Sequence, residues 1–300
     1  MRIFITGATG LIGYHITQKL LAMSHSVTIL TCNMSKAYQQ FGELIEYCSS
    51  IEELTSLNGF DAVINLAGES IADKRWTKKQ KEQLCQSRWQ LTEKIAQLIN
   101  QSDNPPTTFI SGSAIGYYGN QGNSFIIESN PPMDGFTYQL CQRWEHLAKQ
   151  AESEKTRVCL LRTSVVLSNQ GGVLPKMLPA FRYGLGAVFG SGRQYMPWIH
   201  LDDMVEAIYF LLEHPEIKGP VNMCAPEAIT NSVFSYALAK TLHHSCRFKV
   251  PSWLLNITMG EMSSVLLDSQ RALPVKLLQA HFQFTYPSIE SALDHILNEQ

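Results

Sequence analysis

Arg2-Ile3-Phe4-Ile5-Thr6-Gly7-Ala8-Thr9-Gly10-Leu11-Ile12-Gly13 opens the chain, and the other assignments are measured from it. The β-branched and aromatic run from Arg2 to Thr6 reads as a buried strand, and the stripe Ile12, Ile16 and Leu20 reads as one face of a helix. Three glycines spaced three apart, Gly7, Gly10 and Gly13, stand at the junction. A helix that begins there leaves its first N–H groups without intrahelical acceptors, and its dipole puts partial positive charge at the same end. Such donors suit a dinucleotide pyrophosphate. Gly7 permits the sharp turn, Gly10 lets backbone approach phosphate, and Gly13 lets helix lie close on strand. A strand before and a helix after separate this pattern from a glycine-rich turn that binds nothing.

The chain has 300 residues, 45% of them hydrophobic, enough to bury roughly 75% of its extended surface in one large α/β unit with a smaller lobe. A net charge of -2 and a pI near 6.5 supply no basic field for a polyanion, and Lys and Arg are scattered apart from Lys78, Lys79 and Lys81. No nucleic-acid partner is expected. The seven cysteines are odd in number, dispersed and free of CxxC pairs, as befits reduced thiols in a cytosolic protein. The histidines form no HExxH, and His243 and His244 would point to opposite sides of any helix, so no metal site is expected. The first strand begins at Arg2, which leaves no room for a signal peptide, and no apolar stretch reaches about 18 residues. These features point to a cytoplasmic protein without a membrane partner.

Further strands are expected at Ser26 to Leu30, Leu44 to Cys48, Asp61 to Gly68, Thr108 to Ser111, Val158 to Leu161 and Val221 to Met223. The strand at Asp61 ends in small residues, where parallel sheets bind ligands beyond the strand carboxyl ends. A long helix follows Thr77, which stands in capping-box spacing with Gln80; its stripe is Leu84, Leu91, Ile95, Leu98 and Ile99. Helices are also expected at Tyr138 to Gln150, from an Asp202 or Asp203 cap to Glu213, at Ser232 to Leu242, and after Ser252 and Ser288. The glycine- and proline-containing stretch from Gly171 to Gly192 breaks the βα rhythm. The fold class is therefore α/β, a doubly wound parallel sheet over residues 1–170 with a smaller C-terminal α+β substrate lobe over 171–300. Roughly 199–224 return to the core. Phe248 to Pro251 and Phe282 to Tyr286 complete the lobe.

Taken in order, the glycine pattern, Asn65-Leu66-Ala67-Gly68, Ser111-Gly112-Ser113 and Trp198-Ile199-His200-Leu201-Asp202-Asp203 resemble the extended short-chain dehydrogenase/reductase superfamily. More narrowly, the chain is similar to the "epimerase family" within it, related to bacterial nucleoside-diphosphate-sugar epimerases and carrying a DUF1731-type C-terminal lobe. Gly68-Glu69-Ser70-Ile71-Ala72, Lys81 to Arg88, Gly116-Tyr117-Tyr118-Gly119, Trp144-Glu145, Gly190 to Gln194 and Gln270 to Pro274 carry this narrower likeness. It implies a Rossmann core that binds NAD or NADP, and it conveys fold and cofactor better than substrate.

The dinucleotide is normally chosen just past the second strand. Thr31-Cys32-Asn33-Met34-Ser35-Lys36 contains no acid, so the usual NAD clamp is missing, and with it the repulsion of a 2′-phosphate. The superfamily's arginine is replaced by Cys32, which leaves Thr31, Asn33, Ser35 and Lys36 as contacts. NADP is favoured, with NAD as the alternative. The resemblance further implies cofactor contacts from Gly7, Thr9, Gly10, Leu11, Ile12, Gly13, Leu66, Ala67, Gly68, Arg88, Ser111 and Val166. An exposed helix cation is the lesser, competing reading of Arg88, and Leu66, Ala67 and Val166 read equally as plain core.

Chemistry at a nicotinamide needs a hydroxyl that exchanges a proton with the substrate oxygen. The superfamily supplies Ser or Thr and then Tyr-x-x-x-Lys. Ser113 matches the first. Counting back from Glu145, the lysine position falls on Cys141 and the tyrosine position on Thr137; a one-residue slide gives Tyr138 and Gln142. Neither register restores the pair. Tyr117 is the substitute acid, with Tyr118 next, and aromatic packing is the competing role for both. Arg193, Gln194, Tyr195, Trp198 and His200 would either grip a polar substrate or join the two lobes. The helices after Thr77 and Tyr138 correspond to the superfamily's dimer face, although core burial would produce the same stripes. The functional expectation is an NADP-dependent oxidoreductase or epimerase acting on a small polar carbonyl or alcohol, or on a nucleotide-sugar-like substrate. A cofactor-binding sensor without turnover is the main alternative, and a lyase or dehydratase using the nicotinamide transiently is a third.

Overall fold

The computed structural model describes residues 1–298. Its first half contains β1 (Arg2–Thr6), α1 (Leu11–Ala22), β2 (Ser26–Leu30), α2 (Met34–Phe41), β3 (Glu46–Cys48), β4 (Ala62–Asn65), α3 (Lys78–Asn100), β5 (Thr108–Ala114), β6 (Phe125–Ile126) and α4 (Phe136–Lys149). There follow β7 (Arg157–Thr163), β8 (Val165–Leu167), α5 (Leu174–Arg182), β9 (Ala187–Phe189), β10 (Trp198–His200), α6 (Leu201–Glu213) and β11 (Gly219–Met223). The C-terminal part adds α7 (Asn231–Thr241), β12 (Phe248–Val250), α8 (Ser252–Met259), α9 (Ser264–Leu267), β13 (Arg271–Ala272), α10 (Val275–Gln279) and α11 (Ile289–Asn298).

Among the described residues, seven strands form one sheet in the order β11-β7-β5-β4-β1-β2-β3, and every pairing in it is parallel. The order reverses between β1 and β4, so a crevice opens beyond their carboxyl ends. Both faces of the sheet are covered, which is why its strands read as unbroken apolar runs. Ile3 and Ile5 face α1 and α6, where they meet Ile16, Leu20, Met204 and Ile208. Phe4 faces the other way, onto Val63, Ile95, Ile99 and Phe109. The α3 stripe is thus largely consumed inside the chain. No described helix is long and apolar enough to cross a membrane.

A second core, with Leu174, Phe181, Trp198, Phe234 and Leu293, lies in the C-terminal lobe. Polar clamps tie it to the sheet. The Asp203 carboxylate accepts from the amides of Thr285 at 2.7 Å and Tyr286 at 3.0 Å, and β13 pairs with β6. Asp203 is therefore a tether, and the cap of α6 is His200, whose Nδ1 accepts from the Asp202 amide at 3.0 Å. His200 Nε2 lies 3.1 Å from His295 Nδ1. With Asp202 these residues place ligand atoms within 4.8 Å of one another, a cluster the sequence reading did not anticipate, but both His200 nitrogens are already engaged.

Several boundaries differ from expectation. β5 runs on through Ser113 to Ala114, because Ser111, Gly112 and Ser113 all pair with β7. α4 starts at Phe136 rather than Tyr138. Thr77 caps α3 through the Gln80 amide at 3.2 Å, while its own amide bonds the Arg75 carbonyl instead of Gln80, so only half of the capping box forms.

Burial, with a smaller contribution from His295, holds His200 neutral and lowers its pKa from 6.5 to about 4. A histidine depressed in the folded state stabilises fully above its unfolded pKa, and the stabilisation drains away as pH falls from 6.5 through 4. Urea unfolding across that window should show stability falling with acidification, and His200→Asn, which keeps a capping acceptor, should flatten the slope.

Candidate functional site

The first wall of the crevice is the turn between β1 and α1. Gly7 adopts φ +75°, and a Cβ there would stand 2.7 Å from the Ala67 amide nitrogen. A Cβ on Gly13 would stand 2.1 Å from the Gly7 carbonyl oxygen. Strand, turn, helix and the end of β4 therefore meet at backbone contact. Gly10 precedes α1 without a side-chain cap, and the amides of Leu11, Ile12 and Gly13 meet no acceptor among the described residues. These are the orphan donors that an anion at a helix N-terminus satisfies.

The segment after β2 leans onto this turn. Lys36 Nζ donates to the Thr9 carbonyl at 2.9 Å. Asn33 caps α2 by accepting from the Lys36 amide at 2.9 Å, and the Thr31 hydroxyl accepts from the Asn33 amide at 3.1 Å. Cys32 is exposed between them. An ammonium and a helix N-terminus thus stand where a carboxylate would select NAD.

On the opposite side, Leu66, Ala67 and Gly68 leave β4 and line the turn. Arg88 lies against Gly68, where a Cβ would stand only 2.9 Å from the guanidinium Cζ. It donates to the carbonyls of Leu84 at 2.9 Å and Glu69 at 2.8 Å, and burial pulls its pKa down. Arg88 is therefore no exposed helix cation; it ties the loop after β4 to α3. Val166 in β8 is partly buried, and Gly171 beyond it approaches Leu11. An exposed Lys176–Asp73 ion pair joins this segment to the loop after Gly68.

At the end of β5 the polar groups turn inward. Ser111 is fully buried. The Ser113 hydroxyl donates to Glu145 Oε1 at 2.7 Å, and Glu145 is gripped by Arg162 through Nε at 2.8 Å and Nη2 at 2.9 Å. Arg162 Nη1 continues to the Tyr118 hydroxyl at 2.8 Å, which donates to Asn222 at 2.8 Å. Burial pushes Tyr118 up to about 12. Tyr117, partly buried, has the Arg162 guanidinium 3.6 Å from its ring centroid and Tyr138 edge-on at 5.5 Å.

With this geometry in place, residues 3–224 match the NAD dependent epimerase/dehydratase family. The chain belongs to that family. Residues 250–296 match a domain of unknown function, DUF1731. The chain is 36% identical over 298 residues to an epimerase family protein of Staphylococcus haemolyticus, covering 98% of each. It is 39% identical over 293 residues to an epimerase family protein of Mycobacterium bovis, covering 97% of this chain and 96% of that one. A crystal structure of human epimerase family protein SDR39U1 (isoform 2) with NADPH matches at a TM-score of 0.91 and 30% identity, with 100% of both chains covered.

Within this epimerase/dehydratase fold, the residues expected between the lobes divide. Trp198 is fully buried, His200 caps α6, and Gln194 Nε2 bonds the carbonyls of Phe189 at 2.9 Å and Leu266 at 3.1 Å; these three join the lobes. Arg193 is exposed, beside a 290 Å³ cavity that Asn120, Asn123 and Ser191 also line. Sequence reasoning missed Arg162 as the hub. Its signal was a cation ending the apolar strand Val158-Cys159-Leu160-Leu161, which requires a buried carboxylate partner. Glu145, on the buried face of α4, was the other half.

Glu145→Ala leaves the Arg162 charge buried without its partner and should cost about 3–5 kcal/mol in urea unfolding. Ser113→Ala removes one bond from a carboxylate still held twice and should cost only about 1 kcal/mol. Equal losses would contradict this description of the network.

Proposed function

We propose that the chain is a cytoplasmic NADP(H)-dependent oxidoreductase of the epimerase/dehydratase family, acting on a small polar carbonyl or alcohol or a nucleotide-sugar-like substrate. Lys36 is the observation that carries the cofactor choice: it is held against the Thr9 carbonyl in a segment with no acid. The glycine turn and the unbonded amides at the start of α1 fit a dinucleotide diphosphate, and SDR39U1, similar over its full length, was crystallised with NADPH. Thr31, Cys32, Asn33 and Lys36 surround the 2′-phosphate in this reading, and Leu66, Ala67 and Val166 line the cofactor. The nicotinamide supplies hydride chemistry when bound. Tyr117 offers the proton, and the Ser113–Glu145–Arg162 network fixes the floor beneath it. A homodimer through α3 and α4 completes the reading.

A cofactor-binding protein without turnover is the second reading. The commitment of the Ser113 hydroxyl to Glu145 favours it.

Titration calorimetry with NADPH and NADH tests the cofactor choice. Lys36→Gln should weaken NADPH about tenfold, the loss of one charge-assisted contact of ~1.4 kcal/mol, and leave NADH unchanged. Equal weakening of both would remove Lys36 from the 2′-phosphate site.

A further inference from the structure

We infer that an anion-binding site stands where β6 meets β13, built on Arg193 and Arg271 and fitted to the phosphoryl group of a small molecule. Arg271 and Phe125 are directly opposite in that strand pair. The Arg271 Cζ lies 3.7 Å from the Phe125 ring centroid and 4.7 Å from that of Tyr195. Its Nε is buried without a partner, and no described carboxylate forms an ion pair with it. A guanidinium held against two ring faces is oriented and partly stripped of water, but its charge is not neutralised. An anion that reaches it gains a charge-assisted bond without first having to order a long side chain.

The chain leads from both ends of this stack into the 290 Å³ cavity. Tyr195 follows Arg193 by two residues, Arg271 follows Ser269 by two, and Arg193 and Ser269 both line it. Its acceptors are already occupied. Asn120 Oδ1 accepts from the amides of Gly122 and Ser269, each at 3.2 Å, which fixes the carboxamide and turns Nδ2 away from both. Ser269 Oγ donates to the Gly122 carbonyl and accepts from the Tyr195 amide. The groups left over are donors: neither the Arg193 guanidinium nor Asn120 Nδ2 has a partner among the described residues. Asp268 falls between Leu267 and Ser269 in sequence, but it does not line the cavity and pairs with neither arginine.

Two unbalanced guanidinium groups and a free amide, with no acid in the lining, suit an oxyanion. Their N–H groups outnumber what the two oxygens of a carboxylate accept, and a phosphoryl group with three terminal oxygens uses them better. None of the residues assigned to the dinucleotide lines this cavity, so the site stands apart from the start of α1.

Titration calorimetry of the full chain with inorganic pyrophosphate reads the site, with NADPH kept saturating so that the start of α1 is filled. Arg193→Gln and Arg271→Gln should each weaken pyrophosphate about tenfold, and NADPH affinity should stay at the wild-type value in both. If Arg271→Gln does not fold, Arg271→Lys, which keeps the charge and loses the planar fork, should still weaken pyrophosphate several-fold, and the exposed Arg193 carries the test on its own. Pyrophosphate bound equally by wild type and variants, or not bound at millimolar concentration, overturns the inference. A further arm identifies the carrier of the phosphoryl group. UDP-glucose that displaces pyrophosphate, and itself weakens in the same variants, assigns the group to a nucleotide-bearing substrate; pyrophosphate undisturbed by UDP-glucose assigns it to a separate phosphorylated ligand, and the site stands in both cases. Failure of NADPH to bind would sink the dinucleotide reading and leave this comparison intact, because the variants differ from wild type only at Arg193 and Arg271.

Discussion

The backbone contact at Gly7 and Gly13 is the constraint that places everything else. Two chain crossings, β1 into α1 and the exit from β4, occupy a volume that no Cβ could share. That closeness puts the unbonded amides of α1 at the switch point of the sheet, between the ends of β1 and β4. It also brings Lys36 within reach of Thr9 and lets the loop after Gly68 run along the opposite lip under the hold of Arg88. A bulkier turn would separate helix from strand, and the anion site would disperse with it.

Beneath the crevice runs a second constraint, a chain of buried polar groups. Thr6 donates to Asn65 at 2.7 Å, Asn65 to Thr92 at 2.8 Å, and Trp144 reaches the same Thr92 hydroxyl at 2.9 Å. β1, β4, α3 and α4 are thereby locked in one register. The Ser113–Glu145–Arg162–Tyr118–Asn222 network does the same for β5, α4, β7 and β11. Networks of this kind give geometric uniqueness more reliably than net stability, since each unpaired member would be costly. Here they hold Tyr117 over a rigid, charge-balanced floor.

The Rossmann core was legible because its signals are local: a strand, three glycines and a helical stripe within the first twenty residues. Trp198 and His200 were visible as notable residues, but their role depends on the lobe packed around them, and a sequence does not show which side of a tryptophan is covered. The α6 cap went to His200 rather than to either neighbouring aspartate because Asp203 was drawn off by two amides more than eighty residues away. Ser113 was singled out just past the expected strand end at Ser111, but it lies within β5 and its hydroxyl turns toward Glu145, a partnership set by how α4 docks. Arg162 escaped notice for the same reason: its meaning lies in contacts from several separate segments.

Hydrogen exchange on nucleotide-stripped protein, with and without NADPH, reads the helix-start amides one by one. Slowed exchange should concentrate at the amides of Leu11, Ile12 and Gly13 and at the start of α2 around Lys36. Binding that leaves those amides unprotected, or no binding at all, would contradict a diphosphate held at the start of α1.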